Sequence, residues 1–156
     1  MHWSEVRFGK HRGKTLPEIV FHDPGYFFWA IGAGVFCDGR ALETEARLID
    51  QRARSIRVPA AAAGTLKVEY VYNRFDGRFS HLTLVPPDRA PSYDDRVALR
   101  RDVIDLSLVC GARPNFKVDR DALIASLKSI VFGDASYRMT RQRCGAFFAR
   151  TENFLT

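Results

Sequence analysis

Leu66-Lys67-Val68-Glu69-Tyr70-Val71-Tyr72 alternates: Leu66, Val68, Tyr70 and Tyr72 interleave with Lys67, Glu69 and Val71. A period of two puts the first set on one face of a half-buried strand. Asn73 to Arg78, with Asp76-Gly77 inside it, supplies a turn into a second apolar run, Phe79 to Val85, so the region reads as a β-hairpin. Pro86-Pro87-Asp88 stops the hairpin. A polar loop through Pro91-Ser92 then leads to a third apolar run, Val103 to Val109, in which Ile104, Leu106 and Leu108 share a face. A three-stranded antiparallel sheet is the economical assembly of these runs.

Downstream, Asp119 is placed to cap a helix through about Phe132, with Gly133 as its stop. Leu123, Ile124, Leu127, Ile130 and Val131 form the stripe that covers the sheet. A last helix begins near Thr140 and carries Cys144, Phe147 and Phe148 inward. Upstream, the period changes to helical across Val58-Pro59-Ala60-Ala61-Ala62-Ala63-Gly64, an Ala-rich linker between residues 1–57 and 65–156. Residues 40–56 set Leu42, Ala46, Ile49, Ala53 and Ile56 on one stripe. Arg40, Arg47 and Arg54 lie opposite, either a basic ridge or a solvated face on which Glu43–Arg47 and Asp50–Arg54 pair at the favourable spacing. The expected class is α+β: an N-terminal β-hairpin with helices, then a small antiparallel sheet of about three strands covered by two C-terminal helices.

The N-terminal part holds the densest set of basic residues. Phe8-Gly9-Lys10-His11-Arg12-Gly13-Lys14 reads as a glycine-bracketed loop between short strands at Val6–Phe8 and Lys14–Leu16. Pro17 suits the first turn of a helix, and Pro24 forces that helix to end by Asp23. A second helix from about Gly25 to Ile31 brings Tyr26, Phe27, Phe28 and Trp29 together. Backbone N–H groups and cations concentrated in so few residues suit phosphate oxygens.

Composition sets outer bounds. The 156 residues are 46% apolar and 12% aromatic, which describes a folded chain. Lys plus Arg number 24 against 18 Asp plus Glu, a formal +6 that attracts polyanions. The excess sits at the two ends, because residues 58–112 are balanced. Cys37, Cys110 and Cys144 show no paired spacing and read as free, buried thiols. The first residues lack the regions of a signal peptide, and the longest near-apolar run, Tyr26 to Cys37, is too short to cross a bilayer; a cytoplasmic protein with no membrane partner is expected.

Phe8-Gly9-Lys10-His11-Arg12-Gly13-Lys14, Leu16-Pro17-Glu18-Ile19, Asp23-Pro24 and Tyr26 with Trp29 together resemble the small bacterial module at the C-terminus of exodeoxyribonuclease X and its relatives. Free-standing members of that group are called quorum-sensing-regulated virulence factors. The resemblance covers residues 6–31. It implies an accessory part of nucleic-acid processing, separate from any catalytic domain. Lys10, His11, Arg12 and Lys14 would then contact phosphate, Gly9 and Gly13 would shape the loop, and Tyr26 and Trp29 would offer stacking surfaces to unpaired bases. The competing reading makes both aromatics core supports. Arg138, Arg141 and Arg143 around the last helix form a second candidate contact for DNA.

Enzyme readings fare poorly. No Asp-x-Glu of a two-metal nuclease occurs, and Asp102, Asp105 and Asp94-Asp95 read as solvated or capping carboxylates. There is no P-loop and no dinucleotide fingerprint, so no cofactor or metal is expected. The expectation is a non-catalytic nucleic-acid-binding protein with DNA as preferred ligand, single-stranded or processed, acting beside a protein partner in DNA processing. The rival is a protein-interaction or regulatory module of a phage or virulence system.

Overall fold

The computed structural model describes residues 1–60, 64–90, 95–110 and 116–155, with the side chains of 116–119 left aside. The middle of the Ala-rich linker, the Pro91-Ser92 loop and Asp94 therefore lie outside the described residues. Among the described residues the chain is an α+β fold of five helices, a three-stranded antiparallel sheet and a separate two-stranded pair.

Thr15 decides where the first helix starts. Its side chain accepts from the Glu18 amide while Glu18 Oε2 accepts the Thr15 N–H at 2.8 Å, a capping box that opens α1 (Leu16–His22). Leu16 is thereby taken into the helix, and the two expected strands shrink to one bridge, Glu5 to Thr15. Asp23 closes α1 through its N–H to Ile19 O at 2.7 Å and opens α2 (Pro24–Gly32), where Oδ1 accepts the Tyr26 N–H at 3.4 Å. α3 (Arg40–Ala53) buries Leu42, Ala46, Ile49 and Ala53, and its outer arginines pair as the spacing predicts: Arg47 with Glu43 at 2.5 Å and Arg54 with Asp50 at 2.9 Å.

After α3, β1 (Ile56–Arg57) leads to the hairpin of β2 (Lys67–Asn73) and β3 (Phe79–Val85). The third strand is not the apolar run. β4 (Arg96–Arg101) pairs with β2, placing Leu99 against Tyr70 and Arg100 against Glu69, and gives the order β3-β2-β4. Its arginines are what a sheet edge carries, and they masked it as loop. β5 (Val103–Ile104) turns away to pair with β1, and Leu106–Leu108 is a short 3-10 turn capped by Asp105. The buried Tyr70 hydroxyl joins the two sheets, donating to Val103 O at 3.1 Å and accepting the Asp105 N–H at 2.5 Å.

α4 (Phe116–Phe132) starts three residues before Asp119, so that residue lies in the first turn and not at the cap position. It packs on β3 with Leu123 and Leu127 fully buried. α5 (Arg141–Ala149), capped by Thr140, does not cover the sheet; it packs on α1, with Phe147 and Phe148 edge-on to Phe21. α4 already occupies β3, and Phe147 and Phe148 pack against Phe21 and Phe154 instead. One buried cluster runs from Trp3 to Phe154 and draws on residues either side of the Ala-rich segment. Cys144 is buried as expected, and burial raises its thiol pKa to about 12; Cys110 is half-buried and Cys37 exposed, against the expectation of buried thiols. Among the described residues no helix is long and apolar enough to cross a membrane.

Candidate nucleic-acid interface

The basic loop is a tight, internally bonded turn. Val6 N–H donates to Lys14 O at 2.9 Å, Gly13 N–H to Val6 O at 2.7 Å, and Lys14 N–H to His11 O at 3.0 Å. Gly9 and Gly13 sit at φ +70° and +85°, where a side chain would be strained, so both are needed for this path.

The loop's cations divide into two classes. His11 is turned inward and only 7% exposed, with Nε2 2.9 Å from Asp23 Oδ2 and its ring edge-on to Tyr26 at 4.6 Å. This removes it from the set of phosphate contacts expected from the sequence, because an imidazole can be buried neutral against a carboxylate acceptor. Burial holds its pKa below the ordinary histidine value, assisted by Lys14 and Lys10 and opposed by Asp23. Asp23 moves down as well: burial pushes its carboxyl up, but hydrogen bonds from Lys10 and His11 and the Lys10 charge outweigh that. A neutral imidazole donating Nε2–H to a carboxylate satisfies both directions. Nδ1 is then a buried acceptor without a partner among the described residues.

Lys10 also reaches Asp23 Oδ2, at 2.8 Å, yet its side chain stays 61% exposed and its ammonium lies 5.0 Å from the Tyr26 ring centre. Arg120 of α4 approaches the same carboxylate at 3.9 Å. Arg12 and Lys14 have no carboxylate within 4.0 Å among the described residues, and Arg12 is exposed. These two are the loop's uncommitted cations.

Beside Lys10, α2 presents its aromatics unequally. Phe27 is fully buried and Tyr26 half-buried, whereas Trp29 is 61% exposed, with its ring 5.6 Å from that of Tyr26. The core-support reading therefore fails for Trp29 and holds in part for Tyr26. Lys10, Tyr26 and Trp29 form a continuous cation–aromatic surface at the edge of the loop.

The C-terminal arginines are mostly committed elsewhere. Arg141 lies 2.6 Å from Glu5 and 3.1 Å from Glu18 and donates to Gly13 O, fastening α5 to the loop's base. Arg143 donates to Arg138 O at 2.8 Å and stacks over Tyr137 at 4.3 Å. Arg138 is exposed, with no carboxylate within 4.0 Å among the described residues. Of the carboxylates weighed as enzyme candidates, Asp102 pairs with Lys67 and Asp105 caps the 3-10 turn. Among the described residues no group of His, Cys, Asp or Glu converges as a metal site.

Two members of this site escaped the sequence reading. In the sequence Asp23 marks a helix end and, with Pro24, part of the resemblance, but no contact to the loop, although an Asp before Pro is equally the signature of an N-cap. Arg120 has no local signal, since its partner lies across the fold. Comparison with protein-family models, with curated proteins and with solved structures found no match.

Proposed function

We propose that this protein binds nucleic acid, with no chemistry of its own, through Lys10, Arg12, Lys14, Tyr26 and Trp29, and that its preferred ligand is single-stranded or processed DNA. The observation that carries the reading is the exposure of Trp29, a large ring left in solvent next to Tyr26 and the Lys10 ammonium. Stacking platforms flanked by cations are what unpaired nucleic acid requires, because each base offers a π-face and each linkage a negative charge. The nearby acidic groups support it too: Glu5 and Glu18 are taken up by Arg141, and Asp23 by His11 and Lys10. Arg12 and Lys14 are left to attract an anion.

The test is a salt titration of binding to a labelled single-stranded oligonucleotide. Affinity should fall steeply with salt, and changing Arg12 and Lys14 together to Ala should reduce the logarithmic slope by about 1.4, at roughly 0.7 per phosphate contact on single strands. Trp29→Ala should weaken binding by about 1 to 3 kcal/mol while leaving the slope in place. Absence of binding to DNA or RNA at low salt would overturn the reading. It would favour a protein partner docking on the same Trp29 surface.

A further inference from the structure

The β2–β3 turn carries an aromatic where turns normally carry small or polar residues. Phe75 is 84% exposed, more than any other large apolar residue described. Isolated exposed apolar residues need no explanation by themselves. This one is held in place: Asn73 Oδ1 accepts the N–H groups of Phe75 at 2.9 Å and Asp76 at 3.2 Å. Gly77, at φ +69°, donates to Asn73 O at 2.9 Å, and Asp76 Oδ1 accepts the Arg78 N–H at 2.9 Å. Arg74 N–H donates to Asp95 O at 2.8 Å, tying the tip to the chain entering β4.

Among the described residues three arginines and two aspartates surround the ring. Arg74 and Arg78 flank the tip and are exposed, and the β2–β4 register sets the exposed Arg96 opposite Asn73. Of the acids nearby, Asp76 is engaged with the Arg78 backbone, and Asp95 lies 4.0 Å from Arg96.

We propose that this turn is a second nucleic-acid contact, in which the Phe75 ring stacks on an unpaired base while Arg78, with Arg96, meets the adjoining phosphates. The occupant is a single strand or the frayed end of a duplex, since bases inside a duplex have both faces covered. Holding the tip rigid removes ordering cost from that contact. One ring among arginines offers too little apolar area to anchor in a bilayer. The inference rests on the nucleic-acid reading above, but uses none of the same residues.

Fluorescence anisotropy of the whole chain with a labelled single strand, and with the same strand in a blunt duplex, tests it. Because Phe75 is in solvent, Phe75→Ala should fold normally, which circular dichroism checks. It should lose about 5- to 150-fold in affinity for the single strand, the equivalent of one stacked base, and change little on the blunt duplex. Phe75→Trp should retain binding. If Phe75→Ala binds the single strand as tightly as the parent while the Arg12 and Lys14 variant is weakened, the hairpin proposal falls and the loop reading stands. If Ala and Trp variants lose affinity equally, stacking is refuted. If the parent chain binds no nucleic acid at low salt, both readings fall. Phe75-dependent binding to phosphatidylserine vesicles without Phe75-dependent binding to nucleic acid would assign the tip to a membrane and overturn the proposal.

Discussion

Replacing Asp23 by Ala should unfasten the basic loop from the helices beneath it. The carboxylate has two structural duties: Oδ1 caps α2 through the Tyr26 N–H, and Oδ2 receives the inward-facing His11 Nε2. Loss of an N-cap costs about 0.5 to 2 kcal/mol. Leaving the His11 donor buried without its acceptor costs roughly 1 to 3 kcal/mol. Lys10 adds little, because its side chain is 61% exposed and solvent screens the pair. The total comes to about 1.5 to 5 kcal/mol, which for a chain of this size lowers the thermal midpoint by roughly 3 to 20 °C. Asp23→Asn separates the duties, since the amide oxygen can still cap α2 while His11 and Lys10 lose their anion; it should fall between the parent and Asp23→Ala. Urea unfolding of the three proteins measures the ordering. An Asp23→Ala midpoint equal to that of the parent would refute the account of the node, and equal losses for Ala and Asn would remove the cap from it.

His11 should make stability depend on pH. Its folded pKa lies below the unfolded value of 6.5, so the unfolded chain takes up the proton first as pH falls. The stabilisation is complete above about pH 6.5, declines as pH drops toward the lower folded value, and is flat beyond it. His81, lowered by burial and by Arg96 against the pull of Glu69, acts in the same direction. Urea midpoints measured across that window should therefore decline with acidity in the parent and less so in His11→Asn; parallel curves would sink the assignment. Asp23, whose pKa is lowered from 3.8, contributes only in more acidic solution. Gly145→Ala pits two effects against each other: helix propensity favours Ala by about 1 kcal/mol, but the new Cβ would stand 2.9 Å from Trp3 Cδ1 in a buried contact. Overpacking of that kind costs about 1 to 3 kcal/mol, so the unfolding midpoint should fall, and a rise would show that Trp3 yields freely.

Elements whose partner is a neighbour in sequence were legible. The β2–β3 hairpin follows from alternation and Asp76-Gly77, and the α3 face from period and Glu43–Arg47 pairing. Of the elements whose partner is distant, α4 was legible from its Leu123 and Leu127 stripe, but β4 and the packing of α5 were not. β4 reads as polar because Arg96, Arg100 and Arg101 occupy an edge, while the more apolar Val103–Val109 supplied only the two-residue β5 and a 3-10 turn. Nothing local in Thr140–Ala149 announces α1 as its partner. That contact depends on Phe21 meeting Phe147 and Phe148, and on Arg141 reaching Glu5 and Glu18.

The same distinction governs the candidate site. A sequence shows that Lys10, His11, Arg12 and Lys14 are adjacent, and adjacency alone makes them one basic patch. Which of them faces solvent is decided by where carboxylates arrive from elsewhere. Asp23 stands at the α1–α2 junction because Pro24 stops one helix and starts the next, and that position puts its second oxygen under the loop. His11, the member that loses its charge most readily near neutral pH, is drawn in; Arg12, which keeps its charge at any ordinary pH, is left out. The loop thus uses its histidine as the buried anchor and leaves Arg12 and the lysine side chains nearer its surface. Trp29 follows the converse logic on the next helix. Phe27 and Ala30 fill the buried face of α2, so a ring at position 29 has no interior left to enter and remains beside Tyr26 and Lys10.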